Sequence, residues 1–339
     1  MNKEKFSRIA VIGAGSWGTA LGNLLADNGK KVDLWVREKE VFQQINEQGI
    51  NRTFLPDVKL SPSLKPVASF EEALFEKELA VLAIPSHVFR KVLTDLKPYL
   101  PSRISLMAAT KGIENESLML MSQVAEDVLG KRSLEFGCLA GPSFASEVSR
   151  KLPTAVSIAC RNMDDAEKLQ KAFNRDFFRV YASDDLLGVQ LGGAMKNVIA
   201  IAAGVCDGLG FGYNARAALI TRGLAEITRL GVSAGSNAHT FSGLAGLGDL
   251  VLTCTSDLSR NRTVGFRIGK GEILEDITGG MKMVAEGVRT TKSAYQLGKR
   301  KGVVMPITNE MYRILYEGKR PGDAARELML RDLKVELEH

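Results

Sequence analysis

Apolar positions along this chain follow two rhythms, and the change comes near residue 184. Before it, short apolar runs recur at 8–12 (RIAVI), 31–36 (KVDLWV), 79–84 (LAVLAI), 104–109 (ISLMAA), 137–140, 154–159 and 179–182. Runs this short, bounded by glycine, serine or charge, predict strands buried in a sheet. Between them lie helical or loop segments such as 19–28, 70–75, 88–97 and 163–173. Strand alternating with helix predicts an α/β fold with a doubly wound, mostly parallel sheet. From Asp184 onward, long helical patterns with glycine-rich breaks take over, at 188–205, 214–230, 285–301, 306–317 and 322–334. The expected organisation is therefore a first domain over 1–187 and an all-α second domain over 188–336.

The first of those helices, GVQLGGAMKNVIAIAAG at 188–204, carries Lys196 as its one charge. A helix apolar on nearly every side is normally buried. An ammonium inside it is costly unless it is paired or gives up its proton. At about 100° per residue, the lysine's own face holds the mostly small residues Val189, Gly192, Gly193, Ala200 and Ala203. Leu191, Val198 and Ile201 fall on the other side. Small neighbours leave room for something to approach beside Lys196. Taken alone, the pattern leaves two readings open: a working lysine in a cleft, or one that snorkels out at a helix edge.

The turn after the first strand is Gly13-Ala14-Gly15-Ser16-Trp17-Gly18, followed by a helical pattern, Gly29 and a second strand. This is the strand–turn–helix–strand setting of a Rossmann-like dinucleotide site. Gly13 permits the tight turn, Gly15 lets backbone N–H groups reach a pyrophosphate, and Gly18 lets helix and strand pack closely. The anion then sits on a helix N-terminus. An acid about 20 residues on would favour NAD, but Asp33 stands mid-strand while Arg37, with Lys39 beyond it, occupies the strand end. An arginine there can hold a 2′-phosphate, which favours NADP; the other reading is that Arg37 lines the adenosine face without selecting.

Composition changes this picture little. The 339 residues are 45% hydrophobic and 25% charged, ordinary for a globular protein with two cores. The net charge of +6 suits an anionic ligand, but the basic residues are dispersed, so no nucleic-acid surface is expected. Cys138, Cys160, Cys206 and Cys254 stand far apart and only three histidines exist, so neither a metal site nor a disulfide scaffold is expected. The start, MNKEKFSRIAVIGAG, does not read as a signal peptide. No stretch is expected to be apolar enough for a membrane span; the long uncharged segment 231–248 is rich in Gly, Ser, Ala and Asn. A reduced, cytoplasmic protein is expected.

Ligands of doubly wound sheets bind at the carboxyl ends of strands. This draws attention to Pro85-Ser86-His87, Thr110-Lys111-Gly112 and Gly141-Pro142-Ser143-Phe144. Farther on, GLAGLGDLVLTCTSDLSRN at 243–261 sets Asp249 after a glycine-rich turn and Arg260-Asn261 a short way beyond. Arginine's planar fork suits phosphate, and Ser259 and Asn261 add neutral donors; Arg262 could share the work. The alternative for 259–262 is a helix N-cap with exposed arginines.

Together these motifs resemble the NAD(P)-dependent glycerol-3-phosphate dehydrogenases, the bacterial type that reduces dihydroxyacetone phosphate. The likeness runs through GAGSWGTALG, AATKGIE, LAGPSFASEV, LGGAMKNVIAIAAG, GLAGLGDLVLTC, SRN and VAEGVRT, from residue 13 to about 290. It implies that Ser16, Trp17 and Arg37 contact the cofactor, with Gly13, Gly15 and Gly18 shaping its turn. Lys111 would touch cofactor and substrate, Gly141 and Ser143 the substrate, and Ala145 the cofactor. Lys196 would transfer the proton with Asp249 close by, and Thr253 joins them if that stretch is helical. Ser259, Arg260 and Asn261 would hold the substrate, Arg260 taking the phosphate and also meeting the cofactor. Val284 and Glu286 would close over the cofactor. The resemblance further implies reversible reduction to sn-glycerol 3-phosphate with NAD(P)H, of which Arg37 favours NADP(H), a place in phospholipid synthesis, and a homodimer.

Charge then suggests the chemistry. Negative charge builds on the ketone oxygen as hydride arrives, and a nearby cation stabilises it and supplies the proton. Burial and Lys111 would lower the pKa of Lys196; Asp249 would oppose the drop. Two rivals are another two-domain Rossmann dehydrogenase, acting on a hydroxy acid or nucleotide sugar, and a ligand-binding module without catalysis. GDLVLTC…SRN argues against the first. The joint presence of Lys111, Lys196, Asp249 and Arg260 argues against the second.

Overall fold

The computed structural model describes residues 6–130, 135–280, 285–333 and 335–336. Eight strands form one sheet: β1 (Arg8–Ile12), β2 (Lys31–Trp35), β3 (Leu64–Val67), β4 (Leu79–Leu82), β5 (Ser105–Ala108), β6 (Phe136–Ala140), β7 (Thr154–Cys160) and β8 (Phe178–Ser183). Their order is β3-β2-β1-β4-β5-β6-β7-β8, and every neighbouring pair is parallel except β6 and β7. Strand alternation sends Ile9, Val11, Leu79 and Val81 into one apolar layer, and Ala10, Ile12, Ala80 and Leu82 into the other. Apolar layers cover both faces of β1 and β4, which is why these central strands read as nearly unbroken apolar runs.

β3 escaped the hydrophobic pattern because its sequence, LKPV, carries Pro66 and Lys65. A proline removes one ladder donor, and the sheet edge is where that loss is tolerated. The chain order turns around between β1 and β4. There the glycine turn after β1 and the Ser86 turn after β4 stand side by side, at the position where such sheets bind ligands.

Beyond the sheet, the helix Leu186–Gly208 is the axis of a second apolar core. Around it pack the helices Gly212–Ser233, Asp249–Thr255, Arg260–Gly269, Glu286–Lys301 and Pro306–Tyr316. Contrary to the sequence expectation, the axial helix is long and apolar enough to cross a membrane, but 94% of its most apolar window is buried inside the protein. Its apolar surface is satisfied by its neighbours. The helices at 249–255, 260–269 and 274–279 fill what the pattern left as glycine-rich breaks, and the last helix, Pro321–Met329, ends earlier than expected.

Two pairs of glycines let the axial helix and Arg260–Gly269 cross with their backbones touching. A Cβ on Gly204 would stand 2.0 Å from the Arg262 carbonyl oxygen, and one on Gly265 1.9 Å from that of Ile201. The lysine's small-residue face is likewise filled by protein. A Cβ on Gly192 would meet the Ala245 carbonyl at 2.5 Å, and Gly193 lies against Ala140 and the stem of Lys111.

Glu226, 1% exposed, holds the start of Pro306–Tyr316 by accepting from Ile307 N at 2.6 Å, Thr308 N at 3.1 Å and the Thr308 hydroxyl at 3.0 Å. Burial raises its pKa, and those donors oppose the rise. Glu226→Ala would strand two buried N–H groups. It should lower the unfolding free energy by roughly 3 kcal/mol in urea titration, against a neutral result if water replaced the carboxylate.

Candidate functional site

Asp249 opens the helix Asp249–Thr255, directly after a π-helical turn at Leu244–Gly248. That wide turn fits only because residue 246 is glycine, since a Cβ there would meet the Phe241 carbonyl at 2.1 Å. Asp249 is 1% exposed, and its carboxylate is shared by two lysines. Lys196 Nζ donates to Oδ1, and Lys111 Nζ donates to Oδ2 at 2.7 Å. The Gly141 N–H reaches the same Oδ2 at 3.3 Å. Thr253 completes the group: its hydroxyl donates to the Asp249 carbonyl at 2.6 Å and accepts from Lys196 Nζ at 2.8 Å. Lys196 therefore does not snorkel to the surface; it ends on a buried carboxylate and hydroxyl.

The electrostatics follow from burial and charge. Desolvation lowers the Lys196 pKa to about 8, with Asp249 pulling it up and Lys111 pushing it down. Burial alone would raise the Asp249 carboxyl, but Lys111 and Lys196 outweigh it and hold it below the usual carboxylate range. Asp249 thus stays ionised while Lys196, lowered to about 8, comes within reach of proton transfer in either direction.

The sheet side is assembled by strand ends. Thr110 ties the end of β5 to that of β4 by donating to the Ile84 carbonyl at 2.7 Å. The next residue but one must be glycine: a Cβ on Gly112 would stand 2.5 Å from Ser86 Oγ. After β6, Gly141 turns against Val156, and the Ser143 hydroxyl donates to the Gly141 carbonyl at 3.0 Å. Ala145 begins the short helix Ala145–Ser149 beside the glycine-turn helix.

Glu286 links the helical side to the sheet by accepting from Ser86 N at 3.1 Å. Burial raises its pKa to about 7, the Ser86 N–H and Arg260 opposing. Arg260, at the first turn of Arg260–Gly269, is accessible to water yet flanked by protein. That surrounding mass lowers its pKa, and Glu286 opposes the change. Three cations, Lys111, Lys196 and Arg260, thus face one ionised carboxylate and one that titrates near 7, a balance suited to a phosphorylated ligand.

Two of the expected donors also hold the local structure. The Ser259 hydroxyl accepts from Arg262 N at 3.2 Å as a helix N-cap, the structural alternative at this segment. The Asn261 side chain donates to Asn197 Oδ1 and accepts from Gly287 N, both at 2.9 Å. It ties the axial helix to the helix carrying Glu286. Arg262 is bound to Asp207 and Asp257 and does not share Arg260's surroundings. Val284 lies outside the described residues.

The glycine turn fits a dinucleotide. The helix Ser16–Asp27 starts from Gly15 with no side-chain cap, and a helix N-terminus favours an anion. Nothing lies within 4 Å of a Cβ built on Gly15, whereas Gly13 and Gly18 would meet backbone oxygens at 2.6 and 1.9 Å. Glycine is thus required for closeness at two positions, and the third faces open space where a pyrophosphate would come. The Trp17 indole N–H is buried without an acceptor among the described residues. Ser16 donates to the Phe54 carbonyl at 2.5 Å. Arg37 is exposed at the end of β2 and bound to Glu38.

Sequence reasoning singled out the Ser86 turn but missed Asn51 and Asn197 as parts of this assembly. Asn51 is fully buried and donates to the Ala14 carbonyl at 2.8 Å and Thr19 Oγ1 at 2.9 Å, locking the glycine turn from a distant loop. Nothing local marks it. Asn197 had a signal, an amide within an otherwise apolar helix.

Two family models match the chain. One describes the N-terminus of NAD-dependent glycerol-3-phosphate dehydrogenase, over residues 8–166, and the other its C-terminus, over 185–326. The glycerol-3-phosphate dehydrogenase [NAD(P)+] of Syntrophotalea carbinolica is 52% identical over 97% of this chain and 99% of its own length. That of Geobacter sulfurreducens is 54% identical over 97% and 98%. The crystal structure of glycerol-3-phosphate dehydrogenase from Coxiella burnetii superposes with a TM-score of 0.92 at 39% identity, over 97% of this chain and all of that one. With both halves of the pattern matched in order, and the lysine–aspartate centre set where β5 and β6 meet the axial helix, the chain belongs to the NAD-dependent glycerol-3-phosphate dehydrogenase family.

Proposed function

We propose that this protein reduces dihydroxyacetone phosphate to sn-glycerol 3-phosphate with NAD(P)H, reversibly. The observation that carries the reading is the buried Lys196 ammonium, held by Asp249 and Thr253 with Lys111 on the opposite carboxylate oxygen. The nicotinamide supplies the hydride when bound, and Gly13, Gly15, Gly18, Ser16, Trp17, Arg37 and Ala145 are the residues that would hold its dinucleotide. As negative charge grows on the substrate oxygen, Lys196 Nζ donates a proton to it and regains one from solvent. In the oxidative direction the neutral amine takes the alcohol proton. Asp249 and Thr253 fix the direction of Nζ, and Lys111 adds positive potential at the same place. A binding module has no use for an ammonium tuned in this way.

Residues 1–187 would then serve as the dinucleotide-binding domain and 188–336 as the substrate domain, with Arg260 gripping the phosphate. Ser259 and Asn261 support this grip by fixing the helix start that presents Arg260. Cytoplasmic production of glycerol phosphate for phospholipid synthesis by a homodimer is the physiological setting this reading fits. The direct test is loss of reduced-nicotinamide absorbance on adding dihydroxyacetone phosphate; no turnover with either NADH or NADPH would defeat it.

Arg260→Ala separates the phosphate role from the chemistry. A charge-assisted contact of roughly 1.5–3 kcal/mol would be lost, raising KM for dihydroxyacetone phosphate about 10- to 100-fold with a smaller change in kcat. An unchanged KM would remove Arg260 from the phosphate site.

A further inference from the structure

We propose that Glu38 is a specificity-determining residue, which with Arg37 sets how evenly the protein accepts NAD(H) and NADP(H). The proposal rests on the reading that the cofactor's adenosine lies at the carboxyl end of β2. Rossmann sites place there either an acid, for the ribose 2′-hydroxyl, or an arginine, for a 2′-phosphate. This chain has both, as sequence neighbours bound to each other. Arg37 donates to Glu38 Oε1 through Nε at 2.9 Å and through its terminal nitrogen at 2.5 Å.

The other acid with suitable spacing is committed elsewhere. Asp33 stands in the middle of β2, and its carboxylate is held by Lys77 at 2.5 Å, with both side chains largely covered. Glu38, in contrast, is at the strand end. It occupies the N-cap position of the helix Lys39–Gln48, yet its side chain does not cap that helix. The carboxylate is spent on Arg37 instead.

This pairing gives each cofactor a partner. A 2′-phosphate competes with Glu38 for the Arg37 guanidinium and draws it away. A 2′-hydroxyl leaves the pair intact and finds in Glu38 an acceptor whose charge Arg37 already balances. The pair is exposed, with side-chain exposures of 74% and 37%, so it is weak and exchange costs little. Neither cofactor is therefore strongly excluded.

Calorimetric titration with ADP and adenosine 2′,5′-bisphosphate tests this without turnover. Glu38→Gln should tighten the bisphosphate about two- to fivefold, the scale of an exposed ion pair, and weaken ADP. Arg37→Gln should weaken the bisphosphate by about tenfold, as loss of a charge-assisted contact implies, and spare ADP. Glu40→Gln, which removes a neighbouring charge that does not touch Arg37, should leave the ratio unchanged. The proposal fails if Glu38→Gln leaves the ratio of the two affinities at its original value while Arg37→Gln changes it, or if Glu40→Gln shifts that ratio as much as Glu38→Gln. If neither Arg37→Gln nor Glu38→Gln alters binding of either nucleotide, the adenosine lies elsewhere and the underlying reading fails with it.

Discussion

Lys196→Ala should lower kcat for dihydroxyacetone phosphate reduction by about 10³-fold or more, the combined scale of lost proton transfer and lost charge stabilisation. Folding and NADPH binding should survive. Asp249 keeps Lys111 as a counter-charge at 2.7 Å and the Gly141 N–H at 3.3 Å, so the variant does not leave an unpaired buried anion. The glycine turn lies on a different part of the sheet edge and makes no contact through Lys196. Quenching of protein fluorescence by NADPH checks that binding is intact while steady-state kinetics reads the loss. Near-normal turnover in a folded, NADPH-binding variant would remove Lys196 from proton transfer.

The same lysine gives the reaction a pH signature. With a pKa of about 8, Lys196 is an ammonium below that pH and an amine above it. Reduction needs the ammonium, so its rate should fall as pH rises through about 8. Oxidation needs the amine, so its rate should rise through the same range. Asp249→Asn removes the group that pulls this pKa upward, so both midpoints should move to lower pH. A purely structural Asp249 would change rates without moving the midpoints.

Much of this centre was legible because chemistry that is costly to bury stands out against an apolar background. Lys196 announced itself as the one charge in 188–204, and Asp249 and Arg260 as polar residues after a glycine-rich stretch. The strand at Arg8–Ile12 was read residue for residue, since after Arg8 every position is apolar and buried. What was hidden depended on neighbours distant in sequence. β3 hid behind Pro66, which only an edge position excuses. Arg260–Gly269 hid because RNRTVGFRIG has little helical pattern of its own; its stability comes from the crossing with the axial helix. For Ser259 and Asn261 the sequence left a substrate donor and a helix N-cap both open; the cap at Ser259 and the Asn197–Asn261 bond depend on the fold around them.

That crossing carries the second large effect. Gly265→Ala should lower the unfolding free energy by about 3–5 kcal/mol, at the upper end for overpacking. Alanine is the better helix former by about 1 kcal/mol, so propensity alone predicts the opposite sign. Geometry decides: the added Cβ would stand 1.9 Å from the Ile201 carbonyl oxygen and 2.9 Å from Val205 N. Those are backbone atoms of a buried helix, which cannot rotate aside, so the two helices must separate. Separation would strain the Asn197–Asn261 bond one turn away and shift Arg260, which begins the same helix. The folded fraction should therefore also show a raised KM for dihydroxyacetone phosphate. Gly322→Ala is the control, because it lies in the helix Pro321–Met329 with nothing within 4 Å of the new Cβ; its stability should be unchanged or slightly higher. If urea titration found Gly265→Ala as stable as Gly322→Ala, the close crossing of these helices would not be what holds Arg260 in place.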